Sequence, residues 1–301
     1  MRDVFFIVGP TATGKSEIAA DVARALDAEI VSADAFQIYR GLALLSAKPD
    51  AVTLAKVPHH LIGTMSILEE MNAEKFRKLA LRAISEIHSR GKLAIVVGGS
   101  GLYIKALTHG LSDAPVADPD LRAQLNEFSL ADLEKKLRKV DPKTSVDVKN
   151  RRRVVRAIEV CVLSGKPASA QRTAWNFDAM PDGVFLFRDR DDLYQRINAR
   201  VEGMLEAGVI QEVRAAGAMG DTASKMIGLR EIREVLDGKM SILQCVAAIQ
   251  QATRRYAKRQ LTWFRGQTNF QSLNLSELSH VEAVERISHF AKTPGVTQGN
   301  D

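Results

Sequence analysis

The stretch from Val4 to Leu26 constrains the fold of this chain more than any other. Val4-Phe5-Phe6-Ile7-Val8 is an unbroken apolar run, as expected of a parallel strand buried on both faces. It feeds directly into Gly9-Pro10-Thr11-Ala12-Thr13-Gly14-Lys15-Ser16, which fits G-x-x-x-x-G-K-[ST]. A helix follows, with Ile18, Ala19, Val22, Ala23 and Leu26 on one stripe. Strand, glycine-rich loop and helix in this order predict a P-loop. Its glycines let backbone N–H groups converge on phosphate oxygens, and the helix N-terminus adds partial positive charge. Lys15 is expected to neutralise a terminal phosphate, and the Ser16 hydroxyl to ligate Mg²⁺.

The pattern continues as alternating strands and helices. Glu29-Ile30-Val31-Ser32 reads as a second strand. Asn72 is placed to cap a helix burying Phe76, Leu79, Ala80, Ala83, Ile84 and Ile87, and Gly91 sits where that helix should stop. Leu93 to Val97 is another buried strand. The alternation predicts an α/β fold, a P-loop NTPase-like doubly wound parallel sheet. Between about 113 and 183 it breaks into turn signals and polar, basic helices, and Val184-Phe185-Leu186-Phe187 then resumes strand character before a helix through Leu193, Ile197 and Val201. The expected organisation is a core of 1–114 and 183–301 carrying a mostly helical insertion at 115–182. Trp175 and Phe177 fall in that insertion, either anchoring it or offering rings to bases. The last 30 or so residues are polar, with scattered apolar positions and no clear pattern.

No apolar run approaches the ~20 residues of a membrane-spanning helix, and the first strand is too short for a signal-peptide core. Cys161 and Cys245 lie in apolar helical contexts without metal-ligand spacing, so they are expected to be core thiols in a reducing, cytoplasmic setting. His59-His60 has no accompanying carboxylate or Cys spacing and is expected to be structural, near a sheet edge. Nothing demands a partner subunit, and a monomer is expected. The net charge is +6, concentrated at 135–156 and 254–265, which raises the expectation of a polyphosphate partner such as nucleic acid.

A nucleotide-hydrolysing P-loop enzyme has an apolar strand ending in a Mg²⁺-linked Asp. Here the strand Leu93–Val97 ends in Gly98-Gly99-Ser100-Gly101 instead. The acidic strand end beside the P-loop is Asp34, after Ile30-Val31-Ser32-Ala33. Asp34 could cap a turn, or act as a general base toward a nucleophile in line with bound phosphates. The Gly98–Gly101 turn could bring backbone or the Ser100 hydroxyl close to a substrate.

Taken in order, these pieces resemble the tRNA dimethylallyltransferase (tRNA isopentenyltransferase) family. The matching residues include Gly9–Ser16, Val31-Ser32-Ala33-Asp34 with Gln37-Ile38-Tyr39, Ala47-Lys48-Pro49, Pro58-His59-His60-Leu61-Ile62 and Gly98–Tyr103. Arg153, Arg156-Ala157-Ile158-Glu159, Arg196-Ile197-Asn198 and the most specific stretch, Thr253–Arg265, complete the match. The resemblance implies transfer of a dimethylallyl group from dimethylallyl diphosphate to N6 of the adenosine 3′ to the anticodon, with Mg²⁺. It makes Asp34, Ser100 and Lys15 catalytic. Gly9, Pro10, Thr11, Ala12, Thr13, Gly14, Lys15 and Ser16 hold diphosphate, with Arg190 matching a family arginine. Asp34, Ala35, Phe36, Gln37, Arg122, Arg152, Arg153 and Arg156 fall on the side of the anticodon stem-loop. The chain departs from the family pattern at Ala35-Phe36, Leu44-Leu45-Ser46, Gly63 and Lys149-Asn150, mostly on that RNA side. Two other readings are an isopentenyltransferase or kinase acting on free adenine nucleotides, and a non-catalytic tRNA-binding relative.

Overall fold

The computed structural model describes residues 4–111, 114–171 and 181–293, and Trp175 and Phe177 lie outside the described residues. The chain divides into two compact units, Met1–Thr108 with Phe177–Asp301, and His109–Asn176. In the first unit the chain alternates β1 (Val4–Val8), α1 (Lys15–Ala25), β2 (Glu29–Ser32), the short α2 (Ala51–Ala55), β3 (His59–His60), α3 (Ala73–Ser89), β4 (Ala94–Gly98) and α4 (Gly101–Thr108). The second unit holds α5 (Pro119–Glu127), α6 (Leu130–Val140) and α7 (Arg151–Ser164). The first unit then resumes with β5 (Gly183–Phe187), α8 (Arg190–Glu206), α9 (Val209–Ala216), α10 (Leu229–Leu236), α11 (Ile242–Gln267), β6 (Gln271–Asn274) and α12 (His280–Lys292). No helix among the described residues is long and apolar enough to cross a membrane.

Among the described residues one sheet forms, with six parallel strands in the order β3-β2-β4-β1-β5-β6. The unbroken apolar run of β1 has a direct cause, because successive residues enter opposite cores. Val4, Phe6 and Val8 join one cluster with α3, α4 and α11, while Phe5 and Ile7 join the other with α1 and α12. Asn72 caps α3 by accepting from Lys75 N at 2.8 Å, and Gly91 follows its end at φ 72°, as the sequence predicts.

The polar C-terminal stretch, where the sequence carries no clear pattern, forms β6 and α12. Of β6 only Leu273 is buried, because an edge strand presents most of its side chains to solvent. His59-His60 forms the opposite edge strand. There His60 Nε2 lies 2.7 Å from Glu29, which also takes both Arg90 Nε and Nη2. Cys161 and Cys245 are buried free thiols.

The second unit has its own small core of Leu125, Leu133, Leu137, Val154, Val155 and Ile158. Its helices are capped by Asp118, Ser129 and Asn150, and α7 stops at Gly165 in the left-handed region. Fully buried Glu159 takes a two-pronged contact from Arg122 at 2.7 and 2.6 Å and a longer one from Arg156 at 3.4 Å. Arg156 also donates to Pro115 O. Arg152 and Arg153, on the first turn of α7, are exposed.

Candidate active site

The sheet order places the carboxyl ends of β2, β4, β1 and β5 side by side, and each strand there releases one piece of the site. From β1 comes the Gly9–Ser16 loop. Gly9 has no room for a side chain, since a Cβ would stand 2.2 Å from Leu186 O. Ala12 takes a positive φ of 65° and Gly14 one of 91°, which wraps the loop before α1 begins at Lys15. Buried Thr13 braces the wrap by donating to Pro10 O.

From β2 comes Asp34. Its Oδ1 accepts the N–H groups of Phe36 at 2.9 Å and Gln37 at 3.2 Å. Asp34 thus caps the turn and also lines the cleft. From β4 comes the Gly98–Gly101 turn, where Ser100 Oγ accepts Ala35 N–H at 3.1 Å and shares a side-chain hydrogen bond with Tyr256. Ser100 thus abuts the segment that carries Asp34.

From β5 and α8 come three arginines that the sequence reading did not assign to diphosphate. Arg188 Nε donates to Thr13 O at 2.8 Å, Arg196 Nε to Ala12 O at 2.9 Å, and Arg200 Nη1 to Thr11 Oγ1 at 3.0 Å. They grip three successive P-loop residues from outside. Arg190 stands elsewhere, exposed at the first turn of α8 with its guanidinium over the Tyr194 ring. Across from these arginines, Gln260 on α11 contacts both glycine-rich loops, accepting Thr11 N–H at 2.9 Å and donating to Gly99 O at 2.8 Å. Arg196 and Gln260 do sit in stretches singled out by resemblance, the only signal in the sequence that could have marked them.

The P-loop, the segment around Asp34 and α8 line a cleft of about 550 Å³, with Lys15, Ser16, Asp34, Gln37, Arg196 and Arg200 among its lining residues. Its lining sets Lys15, Lys48, Arg196 and Arg200 against Glu17, Asp34 and Asp50. Lys15 Nζ donates to Pro10 O, and burial lowers its pKa to about 8 against the attraction of Asp34, with Arg200 adding to the lowering. Burial likewise lowers Arg200, with Asp34 opposing, and lowers Arg196, helped by Arg188. Cations held below their ordinary values by desolvation define a site that gains when an anion enters. Burial raises the hydroxyls of Tyr103 and Tyr256, and Asp34 adds to both shifts.

Fold and cleft together define a P-loop α/β protein whose cleft holds a carboxylate from the end of the second strand, with glycine where a nucleotide hydrolase has its Mg²⁺-linked Asp. The family model described as IPP transferase matches residues 37–267, and the chain belongs to that family. It is 44% identical over 270 residues to a tRNA dimethylallyltransferase 1 of Citrifermentans bemidjiense, covering 87% of this chain and 88% of that one. A full-length tRNA isopentenylpyrophosphate transferase from Bacillus halodurans superposes with a TM-score of 0.72 at 35% identity, over 97% of this chain and 96% of that one. A structure of a eukaryotic dimethylallyltransferase acting on tRNA gives a TM-score of 0.80 at 25% identity, over 99% of this chain and 82% of the other.

Proposed function

We propose that this chain transfers the dimethylallyl group of dimethylallyl diphosphate to N6 of the adenosine 3′ to the anticodon of tRNA. One observation carries the reading: the P-loop and Asp34, released by the strands on either side of β4, line one cleft with Lys15, Arg196 and Arg200, and no acidic residue ends β4. That arrangement suits a ligand whose diphosphate departs, and it suits nucleotide hydrolysis poorly. It joins membership of the IPP transferase family and relatives named for this activity.

The roles follow from the chemistry. The lone pair of an adenine N6 is delocalised into the ring, so attack on the allylic carbon needs a base. The N6–carbon bond forms, the carbon–oxygen bond breaks, the N6 proton passes to Asp34 and the electron pair leaves with diphosphate. Lys15, Arg200 and the N–H groups of the P-loop stabilise the charge where it develops, and the Ser100 hydroxyl is assigned to the leaving oxygen. The residues fit a magnesium ion held mainly by its substrate. Ser16 and Asp34 both line the cleft, and no cluster of three or more His, Cys, Asp or Glu forms a cage among the described residues. Bound through Ser16 and donor oxygens, Mg²⁺ would supply further charge neutralisation.

On the RNA side, the stacked target base must be extruded into the pocket beside Ala35, Phe36 and Gln37. The insertion contributes phosphate contacts, with Arg152 and Arg153 exposed for that purpose and Arg122 and Arg156 braced on Glu159. Exposed Arg190 is assigned to RNA in preference to diphosphate. Two buried free thiols suit a reducing, cytoplasmic setting, and the chain is read as a monomer.

The test is incubation with Mg²⁺, dimethylallyl diphosphate and unmodified tRNA, followed by mass spectrometry of the digested RNA. N6-prenyladenosine is the expected product. Its absence across a full tRNA pool, with donor bound to folded protein, would sink the reading.

A further inference from the structure

The sheet ladder ties the P-loop to the β4–α4 turn at its base, where Gly9 N donates to Gly98 O at 3.2 Å. Beyond that point the ladder ends, and it does not set the separation of Thr11 from Ser100. Gln260 spans the gap. It is buried, and both ends of its amide are used, Oε1 on Thr11 N–H at 2.9 Å and Nε2 on Gly99 O at 2.8 Å. One orientation alone satisfies a backbone donor on one side and a backbone acceptor on the other, so the amide is fixed without ambiguity.

The fit around it is tight. A Cβ on Gly99 would stand 2.3 Å from Gln260 Nε2, and a Cβ on Gly101 would stand 2.4 Å from the ring of Trp263, one helical turn further along α11. One face of α11 is therefore seated directly on the turn that presents Ser100. On its other side, Thr11 is fixed a second time by Arg200 through its hydroxyl.

We infer that Gln260 is a positioning residue for the transfer, holding the diphosphate cradle and the Ser100 hydroxyl in one register. The inference rests on the proposed reaction and deepens it. The donor's two ends need different things at the same instant: fixed N–H groups around the diphosphate, and a hydroxyl at the bond that breaks. A bridge between the two loops matters most as that bond lengthens. Its loss should therefore lower kcat more than it raises KM for the donor.

Two variants test this. Gln260→Met keeps the volume and removes both hydrogen bonds, and kcat should fall by roughly 10- to 100-fold with donor KM changed only a few-fold. Gln260→Glu still accepts Thr11 N–H, but an ionised carboxylate faces Gly99 O with no proton to give. Its activity relative to wild type should recover as pH falls from about 9 to about 6, because a buried carboxyl protonates in that direction and then donates as the amide did. Because each Gln260→Glu measurement is compared with the same protein at another pH, a folding defect in Gln260→Met would leave the test intact. Unchanged kcat with raised KM in Gln260→Met, or a flat relative profile in Gln260→Glu, would overturn the inference while the function stood. A wild type that makes no product would sink the proposed reaction, and this inference with it.

Discussion

Lys15 is a residue whose charge the cleft controls. Burial lowers its pKa to about 8, so near that pH half of the ligand-free molecules lack its charge. A bound diphosphate favours the ammonium and raises the value, so binding takes up a proton above pH 8 and affinity falls as pH rises through it. The ratio of wild-type to Lys15→Met affinity for inorganic diphosphate, measured by calorimetry, should be constant below about pH 7 and drop by up to ~10-fold per unit above 8. A constant ratio to pH 10 would show that Lys15 stays charged throughout. Asp34 permits a cleaner cut, because Asn retains an Oδ1 for the N–H groups of Phe36 and Gln37 and so preserves the turn. Asp34→Asn should lose about 10²- to 10⁴-fold in kcat while donor binding persists. Lost donor affinity with an intact single-turnover rate would refute the base assignment. Lys15, Asp34 and Ser100 were legible in the sequence because each follows a recognisable strand. Arg188, Arg196, Arg200 and Gln260 were not, since they reach the P-loop from 175, 184, 189 and 249 residues away. Arg190 looked suitable at the strand's end, but α8 begins there and turns it over Tyr194, while the faces of residues 196 and 200 reach the loop.

At the scale of elements, α5 and α7 carry two kinds of arginine that look alike in sequence. Arg122 and Arg156 are paired with buried Glu159 while part of each stays accessible, whereas Arg152 and Arg153 stand exposed on the first turn of α7. Replacing Arg152 and Arg153 together with Ala should weaken tRNA binding and reduce its salt slope by about 2, with thermal stability unchanged. Glu159→Gln should instead destabilise the second unit by about 1–3 kcal/mol in denaturant titration, because it removes the anion that satisfies two guanidinium groups. An unchanged salt slope for the first pair would remove this turn of α7 from the RNA interface. Elements with a strong period, such as β1, α1, α3 and β4, could be read in advance. The two-residue β3 and the polar β6 could not, because an edge strand buries too few side chains to leave an alternation.

For the whole molecule, the segment past residue 267 extends beyond the matched family region yet completes one core, where Leu273, Ala283 and Ile287 pack with α1 and β5. Ending the chain at residue 268 should leave that face open and cost the cooperative unfolding transition, read by calorimetry. A truncated protein with a wild-type melting profile would show β6 and α12 to be dispensable. The sheet also joins chain segments that are far apart: Val8 pairs with Phe185, on the far side of the whole insertion. On a ribosome, β1, β2 and β4 emerge well before β5, and the α5–α7 unit, with its own core, emerges between them and is free to fold first. Throughout that interval β1 lacks its β5 neighbour, and one edge of it carries unpaired N–H and C=O groups. Slower translation across the insertion lengthens that interval.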